Sequence, residues 1–152
     1  MKGQGNFALR PYEPSDEAAA IELWRRTWSQ AYPDIDFDAR LDWWRKRWRD
    51  EILTTATVVV AERQGEVIGF VTVDPKTAYL DQIVVAPEAW RSGVAEILLA
   101  RARELSPTGL ALYVNKDNAR AIRFYEKHGF VIQGDDVNQK SGRPIYKMSW
   151  RP

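Results

Sequence analysis

The chain of 152 residues contains no cysteine and a single histidine, His128. The absence of cysteine excludes disulfides, thiolate metal sites and a cysteine nucleophile. One histidine excludes metal sites built on two or more histidines, and any Ser-His-Asp arrangement would have to use it. Enzyme chemistry in this chain must therefore rest on tyrosine, carboxylates, backbone donors or an ordered water.

Long apolar runs and an excess of one charge are also missing. No stretch approaches the roughly 20 apolar residues of a membrane span. Residues 1–5 have no apolar run behind them, so they do not resemble a secretory signal. The net charge of +1 gives no reason to expect a polyanionic partner. We expect one cytoplasmic domain over residues 1–152, with neither a membrane nor a nucleic acid among its partners.

Tryptophan is abundant, with seven residues, five of them between Trp24 and Trp48. Apolar residues at helical spacing predict a first helix that begins at Ser15 or Asp16 and ends before Pro33. Its apolar face consists of Ile21, Trp24, Trp28 and Tyr32. A second helix is predicted over 38–52, with an apolar face made of Leu41, Trp44, Trp48 and Ile52. Trp43 lies off that face.

The remaining pattern predicts alternating strands and helices. Strands are expected at 7–11, 55–62, 67–73, 79–86, 110–114, 130–132 and 144–150, helices at 93–105 and 118–128, and a polar loop at 134–143. The strand at 79–86, its helix and the strand at 110–114 form a β-α-β crossover, whose two strands should lie parallel. The fold class is therefore α/β (or α+β), with a mixed sheet.

The turn between the strand at 79–86 and the next helix is a candidate anion site. The chain passes Pro87 and then turns through Ser92 and Gly93 into the helix. The first N–H groups of a helix lack partners, and the helix dipole favours negative charge there. Gly93 permits close backbone approach because it has no Cβ. A lone glycine turn is also an ordinary connection, so this turn alone indicates no more than an anion site.

Two stretches of the chain resemble the GNAT superfamily of acyl-CoA N-acyltransferases. Residues 85–95 with Leu98 and Leu99 resemble the family's pyrophosphate segment, usually written Q/R-x-x-G-x-G/A. Gly93 and Ala95 match, whereas Trp90 stands where the family usually has Gln or Arg, with Arg91 adjacent. Residues 118–130 resemble the family's N-x-x-A-x-x-F/Y-Y-x-x-x-G-F helix nearly position for position.

The resemblance implies a GNAT fold, with a mixed, mostly antiparallel sheet and helices on both faces. It implies an N-acetyltransferase that moves acetyl from acetyl-CoA, without a metal, to a primary amine by direct attack in a ternary complex. A small amine is the favoured acceptor. The residues that it assigns to coenzyme A are Ile83, Val84, Val85, Arg91, Ser92, Gly93, Val94, Ala95, Asn118, Ala121 and Tyr125.

The resemblance also implies roles in catalysis. Tyr125 is the expected general acid for the leaving thiolate, its alternative being a packing tyrosine. A backbone N–H near Val85 should face the thioester oxygen where the parallel strands splay. The base is not implied by the resemblance. Asp81 or Tyr79, on one face of the strand that leads to Val85, is the candidate for ordering a water that takes the amine proton, and the alternative for Asp81 is a structural carboxylate paired with Arg or Lys. Asn118 is expected to face the pantetheine arm, to cap its helix, or both.

Several alternatives stay open at this point. The acceptor is either a small amine or a protein N-terminus or lysine. A small amine calls for a closed pocket, which the loop at 134–143 is long enough to close and which Trp43 could line. A non-catalytic acyl-CoA-binding module is the second class. The basic stretch at 45–49 is either a nucleic-acid patch or, as we expect, a solvated helix face. His128 is expected to be a cation that suits the end of its helix. The oligomeric state is open between a monomer and a homodimer.

Overall fold

Residues 6–152 are described by a computed structural model, in which seven strands form one sheet. Strands β1 to β7 span Ala8–Pro11, Thr57–Arg63, Glu66–Asp74, Tyr79–Val85, Leu110–Asn115, Val131–Val137 and Pro144–Trp150. Their order in the sheet is β1-β2-β3-β4-β5-β7-β6. Neighbours are antiparallel except β4 and β5, which are parallel. The predicted α/β class with a mixed, mostly antiparallel sheet is confirmed.

Four principal helices accompany the sheet: α1 (Glu17–Ala31), α2 (Leu41–Arg47), α3 (Val94–Leu105) and α4 (Ala119–Lys127). The predicted apolar faces are confirmed, since Trp24, Trp44 and Trp48 are buried. The second predicted helix is less regular than expected. A 3₁₀ turn precedes α2, and a π-helical segment, Trp48–Ile52, follows it. Within residues 6–152, no helix combines the length and apolar character needed to cross a membrane.

The parallel strands β4 and β5 diverge soon after they meet. Within the described chain they pair at one position, where Tyr79 lies opposite Ala111. The amide of Ala111 also donates to the carbonyl of Ala78, at 2.9 Å. Beyond this point the edge of β4 toward Val85 has no strand partner on that side among residues 6–152. The splay that the resemblance implied is therefore present, and it opens the sheet at its centre.

Helix α3 lies close against β3 because position 69 has no side chain. A Cβ on Gly69 would stand 2.9 Å from the carbonyl oxygen of Val84 and 3.1 Å from Leu98. Both distances are shorter than an ordinary carbon contact, so a larger residue would displace β4 or α3. Gly69 thereby positions the strand and the helix on either side of the turn at Gly93.

The prediction of a loop over 134–143 was wrong in its first half. Strand β6 continues to Val137, which pairs with Pro144, so the loop between β6 and β7 is only 138–143. The strand was missed because it is an edge strand with both faces largely exposed. Such a strand has no buried side, and therefore no apolar alternation to reveal it.

Candidate functional site

A cavity of about 870 Å³ extends from the gap between β4 and β5 to α1, α2 and the loop 138–143. Nine of the predicted site residues line it: Asp81, Ile83, Val84, Val85, Arg91, Ala95, Asn118, Ala121 and Tyr125. The other three, Ser92, Gly93 and Val94, lie in the adjoining turn and at the start of α3. The fold therefore brings the two sequence motifs to one place.

The turn before α3 has the form of an open anion cradle. Gly93 has a φ of +94° and Arg91 a φ of +66°, so two residues adopt the left-handed conformation. A Cβ built on Gly93 would meet no atom of residues 6–152 within 4 Å, so this part of the chain leaves the space beside the backbone open. Gly93 caps α3 and has no side chain to accept from the first-turn amides. The hydroxyl of Ser92 donates to the carbonyl of Ala89, so its proton is engaged within the turn.

Trp90 does not act as a replacement for the family's Gln or Arg. Its indole N–H donates to the carbonyl of Val85 at 2.8 Å, and the Arg120 guanidinium lies 3.8 Å from the centre of its ring. Burial lowers the pKa of Arg120, and the like charge of Arg91 lowers it further. Arg91 and Arg120 therefore place two cations near the cradle. Sequence reasoning missed Arg120, which is in the second motif but at one of its variable positions.

The free edge of β4 presents backbone donors to the gap. The amide of Gln82 donates to Thr72 Oγ1 at 3.1 Å and that of Ala86 to the carbonyl of Ile68 at 2.8 Å, both toward β3. Alternate residues of a strand direct their amides to opposite edges. The amides of Ile83 and Val85 therefore face the gap toward β5. The carbonyl of Val85 already accepts a hydrogen bond from Trp90. The N–H of Val85 is therefore the backbone group of this residue that can bind a ligand in the gap.

Tyr125 projects from α4 into the same region. Its residue surface is 7% exposed, and its ring lies 5.4 Å from those of Phe124 and Phe130. Burial raises the pKa of Tyr125, so its phenol remains protonated and able to donate. The Asn118 side chain accepts from the amide of Ala121 at 3.3 Å, which confirms its predicted cap.

Asp81 lies in the cavity wall, but both of its carboxylate oxygens accept from the guanidinium of Arg47. This is the structural pairing that the sequence left as the alternative to a catalytic role. The pair brings together residues 34 positions apart, on α2 and β4. Burial raises the pKa of the neighbouring Tyr79 to about 12, and the negative charge of Asp81 contributes to this rise. The base role of Asp81 stays a prediction, and this geometry does not favour it.

Aromatic rings from α1, from α2 and from the segment between them form the far wall of the cavity. Trp24 and Trp44 stack at 4.5 Å, and Trp28 and Tyr32 at 5.9 Å. Trp43, which the helical pattern left off the core face, is 37% exposed and lines the cavity. We call this surface, made of Trp24, Trp28, Tyr32, Phe37, Trp43 and Trp44, the aromatic wall.

The loop 138–143 reaches across to the aromatic wall. Lys140 Nζ lies 4.9 Å from the ring centre of Trp43. Arg143 pairs with Asp117 at 3.2 Å and lies over the ring of Tyr32. The hydroxyl of Tyr32 donates to the same Asp117 at 2.7 Å. These contacts connect the loop to the opposite side of the cavity.

Two other predictions concern the charged residues at 45–49 and His128. The basic stretch at 45–49 is not a free patch, because its charged side chains pair with carboxylates. The pairs are Arg45 with Asp42, Lys46 with Asp50, Arg47 with Asp81 and Arg49 with Glu17. Arg45, Lys46 and Arg49 lie on the expected solvated helix face, whereas Arg47 is partly buried and lines the cavity. At His128, burial lowers the pKa, so the prediction of a cation at the end of α4 was wrong.

Comparison with known proteins agrees with this geometry. Residues 18–130 match the model of the acetyltransferase (GNAT) family. Peptidyl-lysine N-acetyltransferase YiaC of Escherichia coli is 30% identical over 145 residues, which cover 93% of this chain and 95% of that protein. Mycothiol acetyltransferase of Acidimicrobium ferrooxidans is 32% identical, over 85% of this chain but only 45% of that protein.

The fold has close counterparts among solved structures. The PaiA N-acetyltransferase of Thermoplasma acidophilum, whose crystal structure is in complex with coenzyme A, superposes with a TM-score of 0.79. The match covers 96% of this chain and 99% of that one. Because the two sequences are only 19% identical, the match supports the fold alone.

Proposed function

This chain belongs to the acetyltransferase (GNAT) family, and on that premise we propose that it transfers acetyl from acetyl-CoA to the primary amine of a small molecule. The transfer is a direct attack in a ternary complex. The observation that carries the small-molecule acceptor is that loop 138–143 reaches the aromatic wall opposite the gap in the sheet, so that the acceptor side is a cavity and not a flat surface. Because the chain contains no cysteine, it has no thiol that could carry the acetyl group as an acyl-enzyme thioester.

The donor half of the cavity has the groups that coenzyme A requires. The open backbone at Gly93, the start of α3 and the cations of Arg91 and Arg120 suit a pyrophosphate. The amides of Ile83 and Val85 on the free edge of β4 suit the amide-bearing pantetheine arm. Acetyl-CoA, when bound, supplies the acetyl thioester.

The chain's own residues then serve the transfer in three ways. A carbon–nitrogen bond forms to the acceptor amine while the carbon–sulfur bond breaks. The N–H of Val85 donates to the carbonyl oxygen as negative charge develops on it. The hydroxyl of Tyr125 gives its proton to the leaving sulfur, and the amine releases its proton to water. Arg47 and Asp81 form an ion pair that joins α2 to β4, and we expect this pair to hold the acceptor side of the cavity beside the reacting groups.

A protein lysine is the second candidate acceptor, and the likeness to the peptidyl-lysine enzyme YiaC over 93% of this chain favours it. A lysine on a folded protein needs an open groove, whereas a small amine suits a cavity that loop 138–143 bridges on one side. The two candidates therefore differ in the bulk that the acceptor carries beyond its amine.

Matched acceptors separate these candidates. A small primary amine is compared with the same amine coupled through its far end to a carrier protein, and free CoA thiol is measured. We expect kcat/KM to fall at least about tenfold on coupling, since blocked entry removes contacts worth about 1.4 kcal/mol or more. A carrier-bound amine or lysine peptide that reacts as fast as the free amine would assign the chain to protein acetylation instead.

A further inference from the structure

Within residues 6–152, two cations beside the aromatic wall have no carboxylate partner. Arg47 and Arg143 also line the cavity, but Asp81 and Asp117 pair with them. Arg40 and Lys140 line it as well, and neither forms an ion pair with a carboxylate of residues 6–152. Residues 1–5 contain no Asp or Glu that could supply one.

Both unpaired cations lie over rings of the aromatic wall. The Arg40 guanidinium is 5.4 Å from the ring centre of Phe37, and Lys140 Nζ is 4.9 Å from that of Trp43. A cation over a ring face keeps its N–H donors for a further partner, and the contact holds the side chain in place. Two positioned cations beside one cavity are suited to a carboxylate.

The charge on this side of the cavity stays positive. One carboxylate, Asp136, is also without an ion pair within residues 6–152, but it lies on the exposed edge strand β6. Arg40 and Lys140 outnumber it. The indole Nε1 of Trp44 lacks a hydrogen-bond partner among residues 6–152 as well, but the protein encloses that atom fully, so a ligand in the cavity does not reach it.

We propose that the acceptor is an amine that carries a carboxylate on an apolar or aromatic body, as an aromatic α-amino acid does. The inference rests on the proposed function, since it names the acceptor class for the same transfer. The aromatic wall buries the apolar body, while Arg40 and Lys140 bind the carboxylate. The same cations repel a polyamine, whose additional ammonium groups would face them in a partly desolvated cavity.

A matched set of acceptors tests the carboxylate. Phenylalanine, its methyl ester and 2-phenylethylamine share the ring and the amine but differ in the carboxylate, and release of CoA thiol from acetyl-CoA measures each. We expect kcat/KM for phenylalanine to exceed both others by about 10- to 100-fold, the range for losing a charge-assisted hydrogen bond. The ester amine is the least basic of the three, so amine protonation alone would favour the ester.

Variants identify the residue responsible. Arg40→Gln should reduce the preference for phenylalanine over its ester to within about threefold, because it removes the charge that binds the carboxylate. Lys140→Gln should reduce the preference less, since a lysine gives no bidentate contact. Arg45→Gln is the control, because Arg45 pairs with Asp42 and does not line the cavity. It should leave the preference unchanged.

The outcomes separate this inference from the proposed function. If the ester and phenylethylamine react as well as phenylalanine, or if Arg40→Gln slows all three equally, the carboxylate has no role and the inference is wrong. If spermidine is acetylated and phenylalanine is not, the inference fails while small-amine transfer stands. If a lysine peptide alone is acetylated, the small-molecule acceptor fails with the inference, and the acetyltransferase activity stands. If no amine consumes acetyl-CoA, both fail.

Discussion

Replacing Gly93 with valine should raise KM for acetyl-CoA by about 100-fold, the cost of roughly 2–3 kcal/mol of charge-assisted contacts. The backbone at this position has a φ of +94°, and the space beside it is open within residues 6–152. A valine side chain would fill the space that a phosphate needs in order to reach the amides of α3. Titration of the variant with coenzyme A by calorimetry, beside initial rates at varied acetyl-CoA, measures the loss.

Gly65 provides a matched control for the strain of this substitution. It has a φ of +81° in the hairpin between β2 and β3, and a Cβ there also meets nothing within 4 Å. Gly65→Val and Gly93→Val should each lower the free energy of unfolding by about 1–2 kcal/mol, because a β-branched residue is strained at positive φ. Only Gly93→Val should lose coenzyme A. Equal effects of the two variants on KM would show that strain, and not a phosphate site, explains the result.

Tyr125→Phe should lower kcat by about 100-fold, the lower end of what a positioned general acid contributes. The change removes only the hydroxyl and keeps the ring between Phe124 and Phe130, so KM for acetyl-CoA should change by less than about twofold. Because burial raises the pKa of Tyr125, the acid stays protonated at neutral and mildly alkaline pH. The wild-type rate should therefore show no loss of this acid between about pH 7 and 9.

Tyr146→Phe is the control for Tyr125→Phe. Tyr146, on β7, is partly buried beneath the Lys116 side chain and does not line the cavity. Its hydroxyl should be dispensable for turnover, whereas that of Tyr125 should not. Full kcat in Tyr125→Phe, measured with acetyl-CoA saturating, would remove the general-acid role and leave the packing role.

The donor half of the site was predictable because each of its two segments is a continuous stretch of sequence with its own motif. The strand, the turn with Gly93 and the start of α3 follow one another, so local pattern located all three within one or two residues. The splay of β4 from β5 came from the resemblance and not from any residue pattern. Trp90 shows the limit of this reasoning. Its bond to Val85 depends on how the turn closes, and a motif comparison registers only a mismatch.

The acceptor half was not predictable because it is assembled from distant segments. Arg47 meets Asp81 across 34 positions, and Arg143 meets Asp117 across 26. Neither pairing has a sequence signature, since any acid was an equal candidate partner. The same holds for the contact of Lys140 with Trp43, which depends on where the edge strand β6 ends. Helical spacing did identify Trp43 as lying off the core face, and its place in the cavity wall follows from that.

Mass spectrometry after incubation with acetyl-CoA and a pool of small primary amines tests the central claim most directly. The account predicts an amine heavier by one acetyl group, formed in step with free CoA, while the protein's own mass is unchanged. A protein that gains an acetyl group without the amine, or that leaves acetyl-CoA intact with every amine offered, would contradict direct transfer to a small amine in a ternary complex.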